Sequence, residues 1–185
     1  MKLMFSNTLC SAYLVEIVKS FEKNHGSSYL GRTAMQKLAY FSQATGVPIP
    51  CSFEIYNYGP YSDEVTFTVE SLLADEVLCD TSGTAAYSNY RMATVKAKFP
   101  EDLEKVVAPF RQQIDRVVKT LGGFKPQQLE LVATVHFIAN RIKSISGKAP
   151  AKADVLERFF SVKGEKFPKE DVGRWYDSLK TAKLV

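Results

Sequence analysis

Apolar residues recur with one spacing in two stretches of the chain about a hundred residues apart. In the first, Ser62-Asp63-Glu64-Val65 leads to Val69, Leu72 and the pair Val77-Leu78. In the second, Pro168-Lys169-Glu170-Asp171-Val172 leads to Tyr176, Leu179 and Leu184-Val185. Each first valine precedes its leucine by seven residues, and the closing pair begins five residues later. At the period of a helix, Val65, Val69 and Leu72 share one face, as do Val172, Tyr176 and Leu179. Repetition of such a unit predicts two related helix-then-strand elements of the winged-helix kind. The plain alternative is two ordinary amphipathic helices with a chance likeness.

The rest of the pattern predicts a mainly α chain, a helical bundle with winged-helix-like units and one small antiparallel β hairpin. Thr8 to Lys23 reads as a helix stopped by Asn24-His25-Gly26, with His25 in a polar loop. A second helix opens at Gly31-Arg32-Thr33, with Thr33 as its cap, and runs to Gln43 before Gly46-Val47-Pro48-Ile49-Pro50 breaks it. Ser52 to Tyr58 is aromatic and β-branched enough to extend, Gly59-Pro60 turns, and Ser62 caps the next helix. Val77-Leu78, a polar loop and Tyr90 to Lys98 predict the wing. Glu101 to Leu121 reads as one long amphipathic helix ended by Gly122-Gly123. Helices from Pro126 to about Ile142, from Ala151 to Val162 and from Lys169 to Ala182 follow. A division into residues 1–98 and 99–185 results, the two parts either separate or packed as one domain.

At 45% hydrophobic over 185 residues, the chain can bury a real core. No apolar run approaches membrane-spanning length, which predicts a chain without membrane contact. Cys10, Cys51 and Cys79 show no metal-type spacing and fit buried thiols of a reducing cytoplasm better than disulfides or zinc. Charge divides the chain: residues 1–98 carry 8 basic and 9 acidic side chains, while residues 99–185 carry 16 and 11. No segment offers a recognised catalytic constellation, and no cofactor is implied. His136, between Val135 and Phe137, reads as a hydrogen-bonded core histidine.

The densest unusual segment is Tyr56-Asn57-Tyr58-Gly59-Pro60-Tyr61-Ser62. Tyrosines gather at interfaces because they offer large contact area at low entropic cost; equally, their rings can pack over the preceding helix. Together with Arg32-Thr33-Ala34-Met35-Gln36-Lys37-Leu38-Ala39-Tyr40-Phe41, this segment resembles a "QKL-x-Y…YGP-x-S" signature. The signature belongs to the YwgA-like proteins and to the related SocA-like antitoxin group, the Panacea domain. Leu129 to Phe137 and the ending from Phe167 to Val185 are similar to the YwgA-like pattern, and the Panacea likeness is confined to about residues 30–78. The resemblance implies an antitoxin or adaptor that neutralises a toxin or delivers a partner protein to a protease. In that reading Arg32, Lys37, Tyr40, Tyr56, Tyr58, Gly59, Pro60 and Tyr61 form the partner-binding motif. Lys37 and Tyr40 would bridge their helix to the Tyr58–Ser62 turn, and Gly59 would permit a backbone geometry that a Cβ hinders.

Charge weighs the rival reading, a winged-helix DNA-binding regulator. Asp63, Glu64, Glu70, Asp75 and Glu76 face no lysine or arginine within residues 62–76, so that helix would be repelled by phosphates. The basic C-terminal segment, with Lys163, Lys166, Lys169, Arg174, Lys180 and Lys183, is where nucleic acid would bind. Arg174 and Asp177, three residues apart, could instead satisfy one another. The sequence alone therefore favours a non-enzymatic, cytoplasmic protein-binding module, with DNA as the alternative partner.

Overall fold

The computed structural model describes residues 8–84, 86–93 and 99–185. Helices dominate them: α1 Leu9–His25, α2 Arg32–Ala44, α3 Asp63–Ala74, α4 Glu101–Val107, α5 Arg111–Leu121, α6 Pro126–Ser146, α7 Lys152–Lys163 and α8 Lys169–Thr181. Short strands β1 Glu54–Tyr56 and β2 Gly59–Tyr61 form one two-stranded sheet, and β3 Leu78–Asp80 and β4 Tyr90–Met92 another. The second sheet is antiparallel, Leu78 facing Met92 and Asp80 facing Tyr90, as the wing pattern predicts. The remainder of that expected strand, residues 94–98, lies outside the described residues. None of the helices in the described part is long and apolar enough to cross a membrane.

Two compact units emerge, the first drawn from Met1–Glu54 and Tyr61–Phe124, the second from Ile55–Pro60 and Lys125–Val185. In the first, α1 is central and packs against α2, α3, α4 and α5. Its Tyr13, Leu14, Ile17, Val18 and Phe21 are fully buried with Leu38, Leu72, Ile114 and Val118 from the helices around it. Burying each such side chain is worth about 1.5–3 kcal/mol. Thr8 caps α1 by accepting the Ser11 N–H at 3.1 Å. The expected cap Thr33 lies inside α2, whose N-cap is Gly31 without a side-chain bond. The expected single helix over Glu101–Leu121 is two, with a 3-10 turn at Ala108–Phe110 between them. Pro109 lacks the N–H that an interior turn needs and crowds the carbonyl four residues before it.

In the second unit α6 is central, with α7 and α8 packed on it. Residues Leu129 to His136 are all buried, which a helix tolerates only when covered all round. Val155, Phe159, Phe167, Val172, Tyr176 and Leu179 close over it, and Tyr176 anchors its hydroxyl on the Pro150 carbonyl at 2.6 Å.

The repeated spacing has a physical meaning other than the one first read into it. The segment after α8 forms no strand, so only the first copy is a helix-then-strand element. What recurs is the way the helix stops. After α3, Glu76 adopts a left-handed φ of 58°, Val77 N–H reaches back to the Leu72 carbonyl at 2.9 Å, and Glu76 N–H to Leu73 at 3.1 Å. After α8, Lys183 has φ 57°, Leu184 N–H reaches the Leu179 carbonyl at 3.0 Å, and Lys183 N–H that of Lys180 at 3.0 Å. Both are Schellman stops, in which an apolar residue past the end meets one in the last turn. The five-residue step from leucine to apolar pair encodes that contact.

Candidate functional site

A cluster of charge and tyrosine forms within the second unit. Glu130 projects from the apolar centre of α6, Lys163 is the last residue of α7, and Lys166 lies in the loop before α8. Tyr56, Asn57 and Tyr58 are the tip between β1 and β2. Lys163 Nζ donates to Glu130 Oε1 at 3.0 Å and to the carbonyls of Tyr56 at 3.1 Å and Asn57 at 2.6 Å. Its three N–H bonds are thereby used. Lys166 Nζ donates to both Glu130 oxygens at 2.8 Å and stands 4.8 Å from the Tyr58 ring centroid, within cation–π range.

Burial sorts the roles. The side chains of Glu130 and Lys163 are 3% and 4% exposed, that of Lys166 35%. Burying an ion pair costs several kcal/mol per ion unless every lone pair and proton finds a partner. Lys163 meets that condition through the tip carbonyls, and so fastens the tip to the helices. Burial holds its ammonium below the ordinary lysine range, with Glu130 pulling in the opposite direction. Lys166 keeps part of its charge at the surface, beside tyrosines 56 and 58, whose rings are more than half exposed.

The motif residues separate. Arg32 is exposed and donates to the Ala86 carbonyl at 3.0 Å. Lys37 and Tyr40 are buried in the first unit, Tyr40 edge-on to Phe41 and Phe53. The bond from α2 to Ser62 belongs to Gln36, which accepts the Ser62 N–H at 2.9 Å and donates to the Ser62 carbonyl at 2.9 Å. Gly59 has φ 87°, a left-handed conformation that suits glycine, Pro60 is buried, and the Tyr61 hydroxyl accepts from Thr66 Oγ1 at 2.9 Å. Of the basic set, only Lys163 and Lys166 join the cluster just described. Lys169, Arg174, Lys180 and Lys183 are exposed. Arg174 pairs with Asp171 on its own helix rather than with Asp177, which Lys152 holds at 2.6 Å. His25 ends α1 instead of lying in a loop, its Nε2 3.0 Å from the Val118 carbonyl.

Two participants escaped the sequence reading. Glu130 stands alone among Leu129, Leu131, Val132 and Ala133, and a lone acid in an all-apolar helical run signals a buried charge in need of partners. Gln36 sat inside a quoted motif whose lysine and tyrosine drew attention first.

No protein-family model matches the chain. It is similar to proteins named DNA ADP-ribosyl glycohydrolase from Mycobacterium bovis and Mycobacterium tuberculosis, 29% identical to each over 180 residues. The match covers 88% of this chain and 47% of each relative, so the chain spans about half the length of the curated relatives it matches. This corrects the expectation of a non-enzymatic antitoxin or adaptor module, and of a regulator as its alternative, since the relatives are named for a hydrolytic activity. The expectation leaned on the absence of short catalytic motifs. Glycosidic hydrolysis needs only carboxyl groups suitably placed by the fold, which no short motif marks.

Proposed function

We propose that this chain takes part in the hydrolytic removal of ADP-ribose from DNA, with the Tyr56–Tyr58 tip and Lys166 meeting the nucleic acid. The observation that carries this reading is the similarity to the mycobacterial glycohydrolases along 88% of the chain. The chemistry of the second unit agrees with it. Residues 55–60 and 125–185 hold 12 basic and 7 acidic side chains, and cations that displace counterions supply much of the affinity for DNA. Exposed tyrosine rings stack on bases for about 1–3 kcal/mol each, whatever the base. Lys166 stands beside them with its ammonium aimed by two bonds to a carboxylate that cannot move, so a phosphate would meet a pre-placed charge. On α3 of the first unit, by contrast, Asp63, Glu64 and Glu70 are exposed and would repel phosphates. Incubating the chain with an end-labelled oligonucleotide bearing ADP-ribose tests the reading, with loss of ADP-ribose followed on a denaturing gel. Loss faster than in buffer is expected; loss at the buffer rate overturns it.

A further inference from the structure

Two thiols in the first unit lie against each other. Cys10 is in the first turn of α1 and Cys51 in the extended segment ahead of β1, 41 residues along the chain, yet their Sγ atoms are 3.1 Å apart. The arrangement is built from both sides. Thr8 caps the helix end that carries Cys10, while the Cys51 carbonyl accepts from Gln43 Nε2 at 2.6 Å and its N–H donates to the Ile49 carbonyl at 2.9 Å. Cys79 stands elsewhere, its sulfur 3.8 Å from the Arg91 carbonyl on the neighbouring strand. The separation exceeds a disulfide bond by about 1 Å, within reach of small side-chain rotations.

The two sulfurs are not equivalent. The hydrogen bond from Cys51 holds the Cys10 thiol below its ordinary range, and the start of a helix favours a thiolate. The same bond, with burial, pushes Cys51 up. At 6% and 9% exposure, neither sulfur admits a bulky disulfide reagent, whereas a small peroxide needs only a narrow path. We propose that Cys10 and Cys51 form a reversible disulfide site whose oxidant is a small hydroperoxide, Cys10 reacting first and Cys51 resolving.

The Cys10 thiolate attacks one peroxide oxygen, the O–O bond breaks, and the departing oxygen takes up a proton to leave as water or an alcohol. Cys10 is then a sulfenic acid. The Cys51 sulfur attacks Cys10 Sγ, the S–O bond breaks, and hydroxide leaves as water with the proton that Cys51 gives up. Two thiols are oxidised by two electrons in all, and one peroxide is reduced. A thiol reductant reverses the bond by exchange.

The test treats the fully reduced chain with hydrogen peroxide, then denatures and alkylates it before mass analysis. The expected product is about 2 Da lighter before alkylation, retains one alkylatable thiol at Cys79, and yields a linked Cys10–Cys51 peptide that dithiothreitol separates. Closing a loop of this length should raise the thermal midpoint by about 10 °C. Cys79→Ser should behave like the parent, and Cys10→Ser should form no internal bond. Three alkylatable thiols after treatment, oxygen retained on Cys10 without a link, or linkage through Cys79 or to a second copy would each overturn the proposal.

Discussion

Glu130→Ala removes the carboxylate from between two ammonium groups, and the consequences for the two lysines differ. Lys166 is 35% exposed and can turn to water, so its share of the loss is about 0–1 kcal/mol. Lys163 is 4% exposed and cannot. Stripping one partner from a buried pair costs about 3–5 kcal/mol. Lys163 keeps the Tyr56 and Asn57 carbonyls, which puts the expected loss near the lower end, about 3 kcal/mol. Trp175, the chain's single tryptophan, lies on α8 in the same unit, so its fluorescence in urea reports the unfolding that matters.

The pH dependence separates this mechanism from a simple cavity. Burial depresses Lys163 in the folded state, and deleting Glu130, which opposes that depression, lowers it further. A depressed lysine costs the folded state while it is charged. The cost is relieved as pH climbs through the folded value toward the unfolded value of about 10.5. The deficit of Glu130→Ala relative to the parent should therefore be largest near neutrality and shrink toward about pH 10. A loss under about 1 kcal/mol, or a deficit that stays constant with pH, would refute the buried-charge argument.

Gln36→Ala strands the buried Ser62 N–H and carbonyl at the start of α3, so stability should fall by about 2–4 kcal/mol in urea titration, with faster amide exchange at Ser62. Lys183→Gly relieves a side chain held at φ 57° and should stabilise the second unit by about 1 kcal/mol, read as a higher urea midpoint by Trp175 fluorescence. Burial holds His136 down to about 4 from its ordinary 6.5. The unfolded chain therefore binds the extra proton first, and stability present above about pH 6.5 should fall by about 3 kcal/mol on the way to about pH 4. His136→Leu should flatten that slope in acid titrations.

The helices were legible because each carries a one-sided 3.6-residue stripe or a clear stop. Thr8 and Ser62 marked their starts, Gly59 its turn and His136 its burial. Pro109 was equally visible, but an unbroken apolar period across Glu101–Leu121 hid its effect on backbone bonding. The repeat was real as a spacing, yet a helix stop and a strand begin with the same apolar step. Only the positive φ of Glu76 and Lys183 distinguishes the two, and that is a property of the backbone. Glu130 with Lys163 and Lys166, and Cys10 with Cys51, join residues more than thirty positions apart, which no local pattern encodes. The site was half legible: Tyr58 and Lys166 were singled out separately, and the acid that links them to the core was not.

Steady-state release of ADP-ribose from a modified oligonucleotide, by the parent chain and by Lys166→Ala, tests the central claim most directly. The account predicts measurable turnover by the parent, with the variant losing about tenfold in kcat/KM through KM while kcat holds, since Lys166 is placed to bind DNA and not to cleave it. No turnover by the parent, or an unchanged KM in the variant, would contradict it.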